Sequence, residues 1–149
     1  MGLSKQYKER AEEYLNAAKK NSQTGGPWVN VYLDTGLSIE LMMKACRVKK
    51  ERLSEWPPRD SGAKWHNLKF LADRCGLADE LKRKLASSAD FKKSWLEVKD
   101  WEFRRRYPVD RKSNPKWEVT EVEARGMLRA TIHHAYGVFP WLVEVYERI

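Results

Sequence analysis

Apolar residues in this chain recur three or four positions apart, segment after segment, and nowhere alternate over a sustained run. That spacing gathers them on one face of a helix; a half-buried strand needs a period of two. In "LSKQYKERAEEYLNAAKKN" the stripe is Leu3, Tyr7, Ala11, Tyr14, Leu15 and Ala18, with Lys and Glu on the other side. Gly25, Gly26 and Pro27 end this helix and open the next. The second helix runs from about Pro27 to Val48 and buries Trp28, Tyr32, Ile39, Met42, Met43 and Cys46. Gly36 inside it weakens the helix by about 1 kcal/mol relative to Ala, a cost that suits a close approach by another backbone.

Pro57, Pro58, Asp60, Ser61 and Gly62 make a loop. A third helix carries Trp65, Leu68, Ala72 and Cys75, with Gly76 at the left-handed position after its end. "LADELKRKLA" is a short amphipathic piece. The fourth main helix, "DFKKSWLEVKDWEFRRRY", is expected to begin with Asp90 as N-cap, to turn Phe91, Trp95 and Val98 inward, and to stop at Pro108. The last helix starts at Thr120, which forms a capping-box pattern with Glu123. Gly137 and Pro140 predict a kink near Pro140 or a separate final helix. With no hairpin signal and no repeats, the expectation is one all-α domain over residues 1–149, a single up-and-down bundle of about five helices.

The remaining bulk features narrow the class. A chain of 149 residues buries enough surface to fold without disulfides or metal. Cys46 and Cys75 fit no metal-ligand spacing and fall on apolar stripes, so they read as buried thiols in a reducing cytoplasm. No secretory h-region or membrane-length apolar run is present, and Gln6 stands where an acylation signal needs Ser or Thr. No cofactor or metal is implied by any motif. The net charge of +8 is concentrated: between Lys82 and Lys116 twelve Lys or Arg face five acids. Such a run either attracts a polyanion or forms a solvated face.

Three short segments lie in a suggestive order: "ELMMKA" with Glu40, Leu41, Lys44 and Ala45; "HNL" with His66, Asn67 and Leu68; and "RYP" with Arg106, Tyr107 and Pro108. Their succession, over roughly residues 5 to 148, resembles the HEPN domains, helical modules of bacteria and archaea. The resemblance implies a bundle that pairs as a homodimer and associates with RNA, nucleotides or a nucleotidyltransferase partner. In the family's enzymatic branch it implies a metal-independent ribonuclease that uses Arg, four to six residues, then His, where His moves a proton and Arg stabilises phosphate charge. This chain departs from that pattern after Arg104, Arg105 and Arg106, where no histidine follows at the required distance. The only match is "RATIHH". On a straight helix Arg129 and His134 would point about 140° apart, whereas Arg129 and His133 share a face at one residue less than the family spacing. The favoured reading is therefore a non-catalytic RNA- or nucleotide-binding module. The alternatives are a toxin-type ribonuclease using Arg129 with His133 or His134, and a protein-binding companion of a nucleotidyltransferase.

For the arginine triplet, helix geometry allows at most two side chains to face one ligand. Arg106 is expected to turn inward and pair with an acid such as Glu40, and Tyr107 to stack over the neighbouring helix end. Arg104 and Arg105, with Arg111 and Lys112, are then the candidate phosphate contacts; the competing reading is cations completing a helix C-terminus. His66 is expected to cap or orient the third helix. Trp101 and Trp117 fall off the core stripes, as exposed base-stacking or dimer surfaces. The surplus charge is expected to form one surface, away from the histidines.

Overall fold

In a computed structural model the protein is all-helical across the residues the structure describes, 2–107 and 118–149. These carry seven α-helices, not about five: α1 (Leu3–Gln23), α2 (Trp28–Glu51), α3 (Leu68–Arg74), α4 (Ala78–Ser87), α5 (Ala89–Val98), α6 (Glu121–Ile132) and α7 (Val138–Arg148). Two single 3-10 turns, Ala63–His66 and Phe103–Arg106, precede α3 and follow α5. The described residues contain no strand.

Helix α2 is the axis of the bundle. It packs along α1 over their length and also touches α3, α6, α7 and the second 3-10 turn. Its central position explains why Val31, Ile39, Met42, Met43 and Ala45 are fully buried. Two hydroxyls drawn into this core are satisfied locally. Thr35 Oγ1 donates to the Val31 carbonyl and Ser38 Oγ to that of Thr35, both at 2.6 Å. Trp28, expected in the core, is only half-buried and lies under the Arg125 guanidinium at 4.6 Å.

Helix ends follow local chemistry, with three corrections. Thr120 Oγ1 accepts from the Glu123 amide at 3.1 Å, as an N-cap does. Gly76 adopts φ +75° just after α3, a conformation that costs a side chain energy and glycine nothing. The cap of α5, however, is Ser88, whose Oγ accepts from the Phe91 amide at 3.1 Å, and not Asp90. That helix also stops at Val98, nine residues short of Tyr107. Of the two outcomes expected for the terminal segment, the separate final helix is found and the kink at Pro140 is not: the chain breaks at 133–137, and Pro140 sits in the first turn of α7, where no intrahelical amide is needed.

The early stop of α5 has a tertiary cause. Trp101 is buried, its Nε1 donating to the Tyr32 carbonyl at 3.1 Å, while the Glu102 amide donates to the Tyr32 hydroxyl at 2.7 Å. Gly36 is small for this reason: its close neighbour is the Trp101 indole, not another backbone. Anchored on α2 in this way, the chain leaves the α5 axis and turns as Phe103–Arg106.

Candidate functional site

The three arginines lie on that 3-10 turn, whose side chains are spaced about 120° apart, so they diverge more than on an α-helix. Arg105 is the inward one, with a side chain 8% exposed. Its Nη1 and Nη2 donate to the two Glu123 carboxylate oxygens at 2.6 and 2.7 Å, and Nη2 also donates to the Glu118 carbonyl at 2.8 Å. Its guanidinium covers the Tyr32 ring at 4.6 Å. Burial works against the Arg105 charge, but hydrogen bonds to Glu123 and Tyr32 outweigh it and raise its pKa. Burial also raises the Tyr32 phenol. Arg105 is thus a structural clamp between the turn and α6, and the expectation that Arg106 fills this role with Glu40 is corrected. Glu123 gives its carboxylate to Arg105, which is why only the Thr120 half of the capping box forms.

Arg106 is exposed and faces aromatic surface. Its guanidinium lies 4.1 Å from the Phe103 ring centroid and 4.6 Å from that of Tyr107, and it donates to the Tyr107 hydroxyl. Arg104, also exposed, donates to Glu102 at 3.1 Å. Arg111, Lys112, Pro108 and Trp117 lie outside the described residues.

Glu40 meets a histidine instead of an arginine. Buried on α2, it accepts from Lys44 Nζ at 2.9 Å through one oxygen. Its other oxygen lies 2.8 Å from His66 Nδ1. The pairing suits both partners, since a carboxylate removed from water is stable only with its lone pairs occupied. His66 does not cap α3; Asn67 does, through Oδ1 and the Phe70 amide at 2.9 Å. The imidazole instead stacks on Phe103 with ring centroids 4.3 Å apart and an interplanar angle of 22°.

These contacts assemble one wall of an open cleft of about 770 Å³ between the first 3-10 turn and the second. Lys64, His66, Phe103, Arg104, Arg106 and Tyr107 are among the residues that line it. Along this wall His66 stacks on Phe103, and the Arg106 guanidinium touches both the Phe103 and Tyr107 rings. Such a surface can hold a phosphate by charge and a planar heterocycle by stacking. The expectation that the histidines stand apart from the basic region fails for His66, which shares the Phe103 ring with Arg106.

Among the described residues the surplus cations border more than one depression. Lys82 and Lys92 border a groove also lined by Trp95, Arg83 and Lys84 border a hollow also lined by Trp141, and Arg104 and Arg106 border the cleft. Asp100 is held below the usual carboxylate range by hydrogen bonds from Lys99 and Lys69.

Among Arg129, His133 and His134, the ring contact found is His133 on His134. Helix α6 ends at Ile132 and His133 is its C-cap, its amide still donating to the Arg129 carbonyl at 3.1 Å. His133 Nδ1 accepts from the amides of Ala135 and Tyr136 at 3.1 and 3.3 Å, and its ring stacks between loop neighbours, 4.7 Å from His134 and 3.5 Å from Tyr136. The Arg129 side chain makes no hydrogen bond or ion pair among the described residues. Cys46 and Cys75 are free and buried, and no cluster of potential metal ligands occurs among the described residues. No helix there is long and apolar enough to cross a membrane.

Sequence reasoning singled out Glu40, His66, Arg104, Arg106 and Tyr107 but missed Phe103, the ring that joins them. Its signal was present only as one more aromatic in "DWEFRRRYP". No family model matches the chain, and no curated protein or solved structure matches it.

Proposed function

We propose that the protein is a non-catalytic binding module for RNA or nucleotides and that the cleft beside Phe103 is its binding site. The observation that carries this reading is the run of side chains His66, Phe103, Arg106 and Tyr107, in which cation and aromatic faces touch along an open wall. A single-stranded nucleic acid offers the complementary alternation of phosphates and flat bases. Arg104 and Arg106 take the phosphate, and the exposed Tyr107 ring takes a base. The resemblance to HEPN domains supports the same ligand class and adds homodimerisation to the proposal. Engagement of His133 Nδ1 by the Ala135 and Tyr136 amides supports binding without cleavage.

Fluorescence anisotropy with a labelled single-stranded RNA, in EDTA and at low salt, tests the proposal. Saturable binding with intact RNA is expected, and competition by AMP distinguishes a mononucleotide site from one that needs a longer strand. Absence of binding by both RNA and AMP overturns the reading and favours a protein-binding companion. Cleavage lost in His134→Ala favours the ribonuclease.

A further inference from the structure

We propose that His66 reads the ribose 2′-hydroxyl, so that the cleft prefers ribonucleotides to deoxyribonucleotides; this rests on the cleft being the RNA or nucleotide site. The argument begins at Glu40. An ionised carboxylate only accepts hydrogen bonds, so the His66 nitrogen facing it, Nδ1 at 2.8 Å, carries the ring proton. In the neutral imidazole Nε2 is then an acceptor. Glu40 is itself fixed, 3% exposed and tied to Lys44 at 2.9 Å, so a buried element sets the tautomer. Stacking on Phe103 fixes the ring plane.

The consequence lies on the open side. The His66 side chain is 35% exposed, lines the cleft, and has no Nε2 partner among the described residues. The same cleft is lined by donors, the guanidiniums of Arg104 and Arg106 and the Lys64 ammonium, and by Asn67, whose Oδ1 accepts from the Phe70 amide. The Glu102 carboxylate lines the cleft as well and accepts from Arg104 at 3.1 Å through one oxygen, and the Tyr107 hydroxyl accepts from Arg106. A phosphodiester satisfies the donors and offers nothing to Nε2. A ribose 2′-hydroxyl, one bond from the sugar–phosphate chain, offers a donor; deoxyribose leaves the acceptor unmatched. That hydroxyl is the group by which a protein distinguishes RNA from DNA.

The test compares anisotropy titrations of one sequence as RNA, as DNA with deoxyuridine, and as RNA with 2′-O-methyl riboses, at pH 8. Wild-type protein is expected to bind RNA roughly three- to tenfold more tightly than DNA, the range for one net hydrogen bond. The 2′-O-methyl strand, which lacks the donor, should fall to the DNA level without any change to the protein. His66→Leu should bring the RNA-to-DNA ratio close to one. His66→Gln, which retains a carbonyl acceptor, should keep part of the preference. Equal affinity of wild type for RNA and DNA, or an undiminished preference in folded His66→Leu, overturns the inference while leaving the binding site standing. Failure of all three strands to bind removes the site as well.

Discussion

The indole of Trp101 lies so close over Gly36 that a Cβ added there would fall 1.9 Å from its ring. This contact fixes where the chain leaves α5 and therefore where the cleft wall begins. Gly36→Ala gains about 1 kcal/mol of helix propensity but forces the indole off its hydrogen bond to Tyr32. Overpacking of this kind costs about 1–3 kcal/mol, and the displaced Nε1 adds to it. A net loss of about 1–3 kcal/mol is expected in urea unfolding. A neutral or stabilising result would mean that the seam is loose.

Arg105 is predicted to matter for stability. Breaking a buried ion pair by removing one partner costs about 3–5 kcal/mol, and here Glu123 is 41% exposed and recovers some hydration. Arg105→Ala should therefore lower stability by about 2–3 kcal/mol. Arg105→Lys should rescue little, because an ammonium cannot bridge both carboxylate oxygens and the Glu118 carbonyl. Chemical denaturation of the two variants checks this, and full rescue by Lys would sink the clamp.

What the sequence made legible is what one helix decides by itself. The stripes of α1 and α2, the stop at Gly25–Pro27, and the Thr120 cap all depend on neighbours a few residues away. The arginine triplet depended on distant partners. No breaker follows Val98, so the fourth helix read as continuous through Tyr107; only Tyr32, about seventy residues earlier, ends it through Trp101 and Glu102. Once the turn became 3-10, side-chain directions computed for an α-helix no longer applied, and the inward residue changed from Arg106 to Arg105. Glu40 and His66 were both visible as motif residues, yet their pairing needs α2 and the Ala63–His66 turn already packed together.

The thiols supply a test of the core. Burial pushes both Cys46 and Cys75 up to about 12 from an ordinary value of 9.0. Native protein at pH 8 should leave both unreactive to a disulfide reagent, and urea should release two thiols. The linkage has one sign. Between about 9 and 12 the unfolded thiols lose protons that the folded ones keep, so stability is full below pH 9 and falls as pH rises through that window. Fast native labelling would contradict the packing of α2 against α3.

The N-cap of α6 is predicted to be worth about 1 kcal/mol, because Thr120 is the side chain that meets the Glu123 amide. Thr120→Ala should show that loss in thermal or urea unfolding, whereas Thr120→Ser should stay within a few tenths. An equal loss in both variants would place the effect elsewhere than the hydroxyl.

The central claim, that the cleft arginines hold phosphate, is tested most directly by the salt dependence of RNA binding in wild type and in Arg104→Ala/Arg106→Ala. Each phosphate contact on a single strand adds about 0.7 to the steepness of log K against log salt concentration. The double variant should bind more weakly at low salt with a slope shallower by roughly 1.4. An identical slope and affinity would contradict the account.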